Sequence, residues 1–512
     1  MALDTGRMIE LPDFAPLRAT ATDAAPTRAA FDRLDHVLVV TTRGQAPALA
    51  RLPYGKHLAA LLKRTPKSGD DFASSHAANA RATGLTVATF RAEPGFTALT
   101  WAAKAVRECT RDKPKTLGIA LVGLSEHAER AAAESLVAAA SAAAFALPAF
   151  KSKPQTPPRL ASVRLFTARS GIDLSTVHAQ AFGNNLARWF TALPPNVLTV
   201  AAYRRAIEAL AKARGMSTRF YGERELTKLG AGAFLAVARG NATRDAGILH
   251  VKYRPGRAAA PAVAFVGKGV LFDTGGTNLK PFGGMLDMHT DMQGSAVALG
   301  ALLALAELRA PFGIDAWLAI TENRLGADAY KPQDLVTAAD GTTIQVIHTD
   351  AEGRMVLADT LALAARDKPA LIIDYASLTG TCVAALTERY SGVFSNRTAA
   401  NALLQEAGAA SGERVWPFPM DADFDELLKS DVADIKQCSA ETAGDHILGA
   451  RFLSRFVPKE LPWIHVDLSA GQHKGGLAHV PTDITGFGVR LTVELLTRTT
   501  AGAADLAKRL QT

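Results

Sequence analysis

Apolar runs of five to nine residues recur along the chain, separated by stretches whose apolar positions repeat at helical spacing. In residues 1–170 the runs HVLVV (36–40), LTVATF (85–90) and TLGIALVGL (116–124) predict strands with alanine-rich helices between them. A connector, PAFKSKPQTPPR (148–159), combines four prolines with three basic residues and no acid, and ASVRLF (161–166) offers one more strand after it. From residue 171 onward AVAFVGKG (262–269), IDAWLAI (314–320), IQVIH (344–348), ALIIDYASL (370–378) and WIHVDLS (463–469) read as buried strands, each followed by a helix. The pattern predicts an α/β protein. A smaller N-terminal α/β domain (1–170) precedes a larger α/β domain (171–512) with a mostly parallel central sheet flanked by helices. In such sheets the functional site lies where strands end and loops begin.

Composition narrows the class. A chain of 512 residues that is 48% hydrophobic and 21% charged is neither disordered, collagenous nor a coiled coil. Its three cysteines, Cys109, Cys382 and Cys438, cannot build a disulfide framework and show no zinc-finger spacing, which predicts a reducing, cytoplasmic setting. The first thirty residues carry Asp4, Glu10, Asp13 and Asp23 without an apolar core, so neither a secretory signal nor a transit peptide is expected. The stretch LVAAASAAAFALPAF (136–150) falls short of the roughly 18 residues a membrane span needs and is expected to be a soluble helix, with no membrane partner. The net charge of +8 is unevenly placed: residues 1–170 hold 23 Lys and Arg against 14 Asp and Glu, and the remainder holds 34 against 35. Basic surplus in the first third raises DNA binding as an alternative, although no helix-turn-helix or basic-aromatic module stands out.

Candidate chemistry gathers at three strand ends. VGKGVLFDTGGTNLKP (266–281) sets Lys268, Asp273 and Lys280 among glycines; Asp287 and Asp291 directly precede a long apolar helix; Asp350, Glu352 and Arg354 lie between a strand and a helix. In an extended segment residues i, i+2 and i+4 face one side, so Asp350, Glu352 and Arg354 are expected to point the same way. Four converging acids, Asp273, Asp291, Asp350 and Glu352, repel one another unless protonated or bridged by cations, which suggests a pair of divalent metals, with Zn, Mn, Mg and Co all compatible. Taken singly, each residue has a plainer reading: acids before a helix are commonly caps, Lys280 a surface lysine, Arg354 a salt-bridge partner, and GKG lacks the spacing of a phosphate-binding loop.

The segment HTDAEGRMVLAD (348–359) closely resembles the signature of the cytosolic leucine aminopeptidases, and residues 266–281 and DMHTDMQGSA (287–296) resemble that family's two other metal segments. The likeness runs from NLARWFTALPPNVLT (185–199) through ENRLGADAYKPQDLV (322–336) and DYASLTGTCVAAL (374–386) to TGFGVRLTVELL (485–496). It implies a dinuclear-metal exopeptidase that removes N-terminal residues from peptides. Asp273 and Glu352 would bridge two ions, Mn²⁺ or Zn²⁺ with Mg²⁺ or Co²⁺ as further options; Lys268 and Asp291 would complete one site and Asp350 the other. Lys280 would stabilise the oxyanion. Arg354 would hold a bicarbonate ion that relays the water's proton, since no side-chain base is evident there. Met288, Ser377 and Gly380 would line a pocket for an apolar first side chain, such as Leu or Met. The resemblance further implies a homohexamer, a dimer of trimers. Departures are His348 where the signature has Asn, Met355 where Leu is usual, and Gln293 and Ser295 at positions often small; His348 is expected to be a packing substitution, and His289 and His446 ordinary polar residues.

Overall fold

The computed structural model describes residues 9–23, 25–64, 72–91, 95–153, 160–167, 171–256, 261–441 and 443–511. Two compact units divide the chain: Phe14–Phe182 with Lys474–Asp483, and Gly183–His473 with Met1–Asp13 and Ile484–Thr512.

The first unit is built on a six-stranded sheet, ordered Arg18–Thr22, Ser162–Phe166, Thr116–Leu121, His36–Thr41, Gly84–Thr89 and Phe72–His76. All neighbours are parallel except the last pair. The strands at 36 and 84 are buried throughout, as unbroken apolar runs demand when both sheet faces are covered. Helices Phe96–Cys109 and Glu126–Ala144 pack over one face with Leu38, Val40 and Ile119, and Phe31, Leu49 and Leu58 cover the other with Val37 and Val39. The alanine-rich stretch thus forms the second half of a helix, capped by the Ser125 hydroxyl. Among the described residues no helix is long and apolar enough to cross a membrane. Residues 154–159 of the proline-rich connector lie outside the described residues.

The second unit holds an eight-stranded sheet. Its centre is four parallel strands in the order Trp463–Asp467, Leu371–Ala376, Val263–Asp273 and Ile314–Asn323. Antiparallel partners flank them: Gly247–Tyr253 and Ser217–Gly222 on one side, and Ser391–Ser395 on the other, itself followed by the parallel strand Val415–Pro417. Helices Gln293–Glu307 and Glu352–Arg366 sit on opposite faces. Gly267 lies against Ser295 of the first, whereas the next residue, Lys268, lies against Gly353 of the second.

One expected strand lies elsewhere. Only Ile344 and Gln345 of IQVIH are laddered, in the strand Thr343–Gln345 of a separate three-stranded sheet with Leu335–Thr337 and Ile435–Lys436. Both edges of the strand Val263–Asp273 are occupied, by Leu371–Ala376 and Ile314–Asn323, so this short apolar run does not pair beside it.

Candidate active site

The site forms at the carboxyl end of the strand Val263–Asp273. Lys268 is almost fully buried, and its Nζ lies 2.8 Å from Asp291 Oδ1, 2.8 Å from Glu352 Oε1 and 2.9 Å from the Ser377 carbonyl. It reaches them only because residue 353 is glycine: a Cβ there would stand 2.8 Å from Lys268 Cε and Nζ. At the strand's end a register shift between Thr321 and Asn323 brings Asn323 opposite Asp273, and the Asn323 amide donates to Asp273 Oδ1 at 2.8 Å. Gly275 (φ +85°) and Gly276 (φ +65°) then turn the chain back, so that the Lys280 N–H donates to the Thr274 carbonyl. Lys280 Nζ ends 2.9 Å from Asp273 Oδ2 and 2.5 Å from Asp350 Oδ1.

These contacts decide against capping. Asp291 lies in a 3₁₀ turn, Met288–Met292, and gives its Oδ1 to Lys268 and to the Ser377 hydroxyl (2.7 Å) rather than to the helix that follows. Asp350 faces Lys280, while the N-cap of the next helix is Ala351. Asp287 is exposed and makes no side-chain cap bond. Carboxylate oxygens of Asp273, Asp350 and Glu352 all lie within 4.8 Å of one another.

Arg354 departs from expectation. The helix begins at Glu352, so residues 352 and 354 stand about 200° apart around its axis instead of on one side of an extended segment. Glu352 faces Lys268, whereas the buried Arg354 turns to Asp445 Oδ2 (2.7 Å) and the Gln437 carbonyl (3.3 Å).

Of the remaining expected residues, Ser377 touches both Asp291 and Lys268. Met288 is half-buried, three residues before Asp291. Gly380 opens the helix Gly380–Leu386 and faces open space. His348 is exposed rather than packed, and its Nδ1 accepts the Asp350 N–H at 3.3 Å. His289 is half-buried. His446 sits away from the acids, against Phe418 and the Thr381 hydroxyl.

Several residues of the site have no mark in the sequence. Thr349 binds three loops: its hydroxyl donates to the Gly275 carbonyl (2.6 Å) and accepts from Asn278 N–H (2.8 Å), and its carbonyl accepts from Asn323 (3.0 Å) and from the Tyr330 hydroxyl (2.7 Å). Gln437 holds the same segment through the N–H groups of Ile347 and His348 and the Ala351 carbonyl. Asp467 accepts from Leu378 N–H (3.0 Å) and the Thr379 hydroxyl (2.7 Å), fixing the turn that carries Ser377. The polar end of the strand at 314–323 was a usable signal for Asn323; Gln437, Asp445 and Asp467 come from distant segments and carry none.

Crowding of like charge shapes the electrostatics. Burial alone would depress the Lys268 pKa, but Asp291, Glu352 and Asp273 outweigh it and raise it above the ordinary lysine value. Lys280 follows the same pattern: burial opposes its charge, and Asp273, Glu352 and Asp350 raise its pKa. Burial pushes Asp291 up to about 8 despite Lys268, with Glu352 and Asp273 adding to the rise, and burial, Glu352 and Asp273 push Asp350 up to about 7.

Residues 185–493, which contain every one of these groups, match the catalytic domain of the cytosol aminopeptidase family. The chain belongs to that family. It is therefore a peptidase, a metal-dependent aminopeptidase of the hydrolase class. Among its relatives as a cytosol aminopeptidase are the probable cytosol aminopeptidase of Synechococcus sp. (strain WH7803), 38% identical over 75% of this chain and 78% of that one, and that of Syntrophotalea carbinolica, 40% identical over 66% and 69%. Two solved structures share the fold: a mutant of tomato leucine aminopeptidase (TM-score 0.81, 26% identity, 95% and 97% of the two chains) and the bottromycin maturation enzyme BotP in complex with Mn (0.75, 30%, 90% and 98%). The cytosol aminopeptidase fold thus agrees with the α/β arrangement expected from the sequence.

Proposed function

We propose that this aminopeptidase removes leucine and other apolar residues from the N-termini of peptides, using two divalent cations held among Lys268, Asp273, Asp291, Asp350 and Glu352. The observation that carries the reading is the surplus of buried acid: four carboxylates face two lysines, and Asp291 Oδ2 is buried without a hydrogen-bond partner. Such a donor set fits dications. In this reading Asp273 and Glu352 would serve both ions, Lys268 and Asp291 would help hold one, and Asp350 the other. Mn²⁺ and Zn²⁺ are the leading occupants, with Mg²⁺ and Co²⁺ as further options. Bound there, the ions supply Lewis acidity, polarising the scissile carbonyl and acidifying water.

The protein's own groups do the rest. Lys268 binds as the neutral amine, a state its acidic neighbours oppose until a dication offsets them. Lys280, on the half-exposed side, stabilises the oxyanion of the tetrahedral intermediate. Asp291 takes the substrate's free α-amine, which measures the chain end. Met288, Ser377 and Gly380 line the pocket for the first side chain, with Gly380 leaving space for it. Arg354 holds a planar anion, bicarbonate or a carboxylate, that relays the water's proton. We further propose cytoplasmic residence and a homohexamer built as a dimer of trimers, with the N-terminal unit serving assembly or regulation.

Hydrolysis of Leu-p-nitroanilide with Mn²⁺ or Zn²⁺ tests the reading. Lys280→Ala and Glu352→Ala are each expected to lose at least about 100-fold in kcat/KM, the scale of one lost oxyanion contact. Normal turnover by both variants, or by wild type after chelation, overturns it. DNA binding by the basic first third is a second activity that gel shifts decide: a specific complex survives moderate salt, whereas plain electrostatic attraction fades steeply.

A further inference from the structure

Hydrolysis needs a group that takes a proton from the attacking water and returns one to the departing amine. The reading above assigns Lys268, Asp273, Asp291, Asp350 and Glu352 to the cations and Lys280 to the oxyanion, and His348 already uses its Nδ1 on the Asp350 N–H. One further carboxylate is tied to this cluster through Arg354, which follows Glu352 by two residues on one helix. Asp445 Oδ2 lies 2.7 Å from Arg354 Nη2, and the two ends of the pair differ in setting: the arginine side chain is 1% exposed and the aspartate 26%. The guanidinium is therefore the buried anchor, and the carboxylate is the end open to water.

The fold prepares this contact. Asp445 is the first residue of the helix Asp445–Ser454, entered through Gly444 in a left-handed conformation (φ +69°). An acid in that position is commonly a helix-terminal stabiliser; here the Thr381 hydroxyl accepts the His446 N–H at 2.9 Å, and the Asp445 carboxylate is turned to Arg354. Within the same helix Gly449 packs beside Leu378 and the Arg354 guanidinium, so the helix lies directly against the arginine. From the other side Arg354 is held by the Gln437 carbonyl and follows Glu352 by two residues on one helix.

We propose that Asp445 is the general base of this enzyme, a built-in carboxylate occupying on Arg354 the place of a bicarbonate ion, so that turnover needs no added bicarbonate. The inference rests on the aminopeptidase reading. A carboxylate and a bicarbonate ion are both planar anions that accept hydrogen bonds from a guanidinium, so one substitutes for the other in shape and charge. In the step itself the water oxygen bonds to the carbonyl carbon as one water proton passes to an Asp445 oxygen. The C–N bond then breaks with that proton moving to the leaving nitrogen, and Asp445 returns to its carboxylate form with no net change in protons.

The test compares wild type and Asp445→Asn, both loaded with Mn²⁺, in carbon dioxide-stripped buffer with and without sodium bicarbonate. Wild type is expected to change less than about twofold on addition. Asp445→Asn is expected to slow about 100-fold, the scale of lost general-base catalysis, and to recover with bicarbonate or formate. Binding of ¹³C-bicarbonate to the metal-free proteins, read as NMR line broadening, is expected for the variant and not for wild type. Bicarbonate-dependent wild-type turnover, undiminished turnover by the variant, or a slow variant that neither binds nor responds to bicarbonate overturns the proposal. No hydrolysis by either protein with any cation and bicarbonate present overturns instead the aminopeptidase reading on which it rests.

Discussion

The two larger sheets of this protein both have parallel strands at their centre and treat buried polar groups differently. In and beside the N-terminal sheet three such groups are settled locally. His36 is held neutral beside the Thr86 hydroxyl, Asp35 takes the N–H groups of Lys115 and Thr116, and burial pushes the Cys109 thiol up to about 12. In the larger sheet the charges are left in competition, with Lys268 and Lys280 shared among four acids that repel one another. A fold tuned for stability alone would not gather like charges at one strand end. In the function proposed above, their concentration marks the place where binding of a cation, rather than folding, resolves the conflict.

Acid should separate the two regions first. Burial lowers the His36 pKa to about 4, below the roughly 6.5 of an unfolded chain. Above pH 6.5 both states are neutral and His36 has no effect. Between 6.5 and 4 only the unfolded chain takes the proton, so stability falls, by about 3 kcal/mol at full extent. Hydrogen exchange of the strand His36–Thr41 on acidification is expected to report this loss, and His36→Gln to remove most of it; equal acid sensitivity in the variant counts against it.

Glycine substitutions sharpen the contrast. Gly353→Ala places a methyl against Lys268, and a displacement of that size is expected to cost about 100-fold in kcat/KM. Gly118→Ala in the N-terminal sheet meets Leu34 at a similar distance and is expected to lower stability by about 1–3 kcal/mol with kcat/KM unchanged. A smaller effect belongs to Asn323→Ala, which removes the amide linking Asp273 to the Thr349 carbonyl. About tenfold in kcat/KM, accompanied by weaker Mn²⁺ binding in a titration, is expected. Unchanged metal affinity would reduce Asn323 to a packing residue.

The sequence carried much of this arrangement and stopped at identifiable points. Parallel central strands were legible because strands buried on both faces must be apolar throughout, and the charged end of Val263–Asp273 because charge there contradicts burial, whereas Asp291 lies in a 3₁₀ turn and not at a strand end. The flanking antiparallel strands were not: Gly247–Tyr253 includes His250 and Lys252, and Ser217–Gly222 is largely polar, so neither reads as a core strand. IQVIH is the reverse case, an apolar run whose first two residues pair with Leu335–Thr337 and Ile435–Lys436 outside the main sheet. Arg354 was misaimed because period-two spacing was applied across a helix start, and Asp445 stayed hidden because its partner stands 91 residues away.

Thr349 has a consequence beyond linkage. Its hydroxyl and carbonyl, with the Thr349 N–H donating to Asn278 Oδ1 at 2.9 Å, tie the segments around Gly275, Asn323 and Tyr330 to one residue. Loops fastened to a common point move together, so thermal motion shifts the acids as a plate without changing the gaps between them. The entropy loss of aligning these groups is incurred once, when the chain folds, and not again with each peptide that enters.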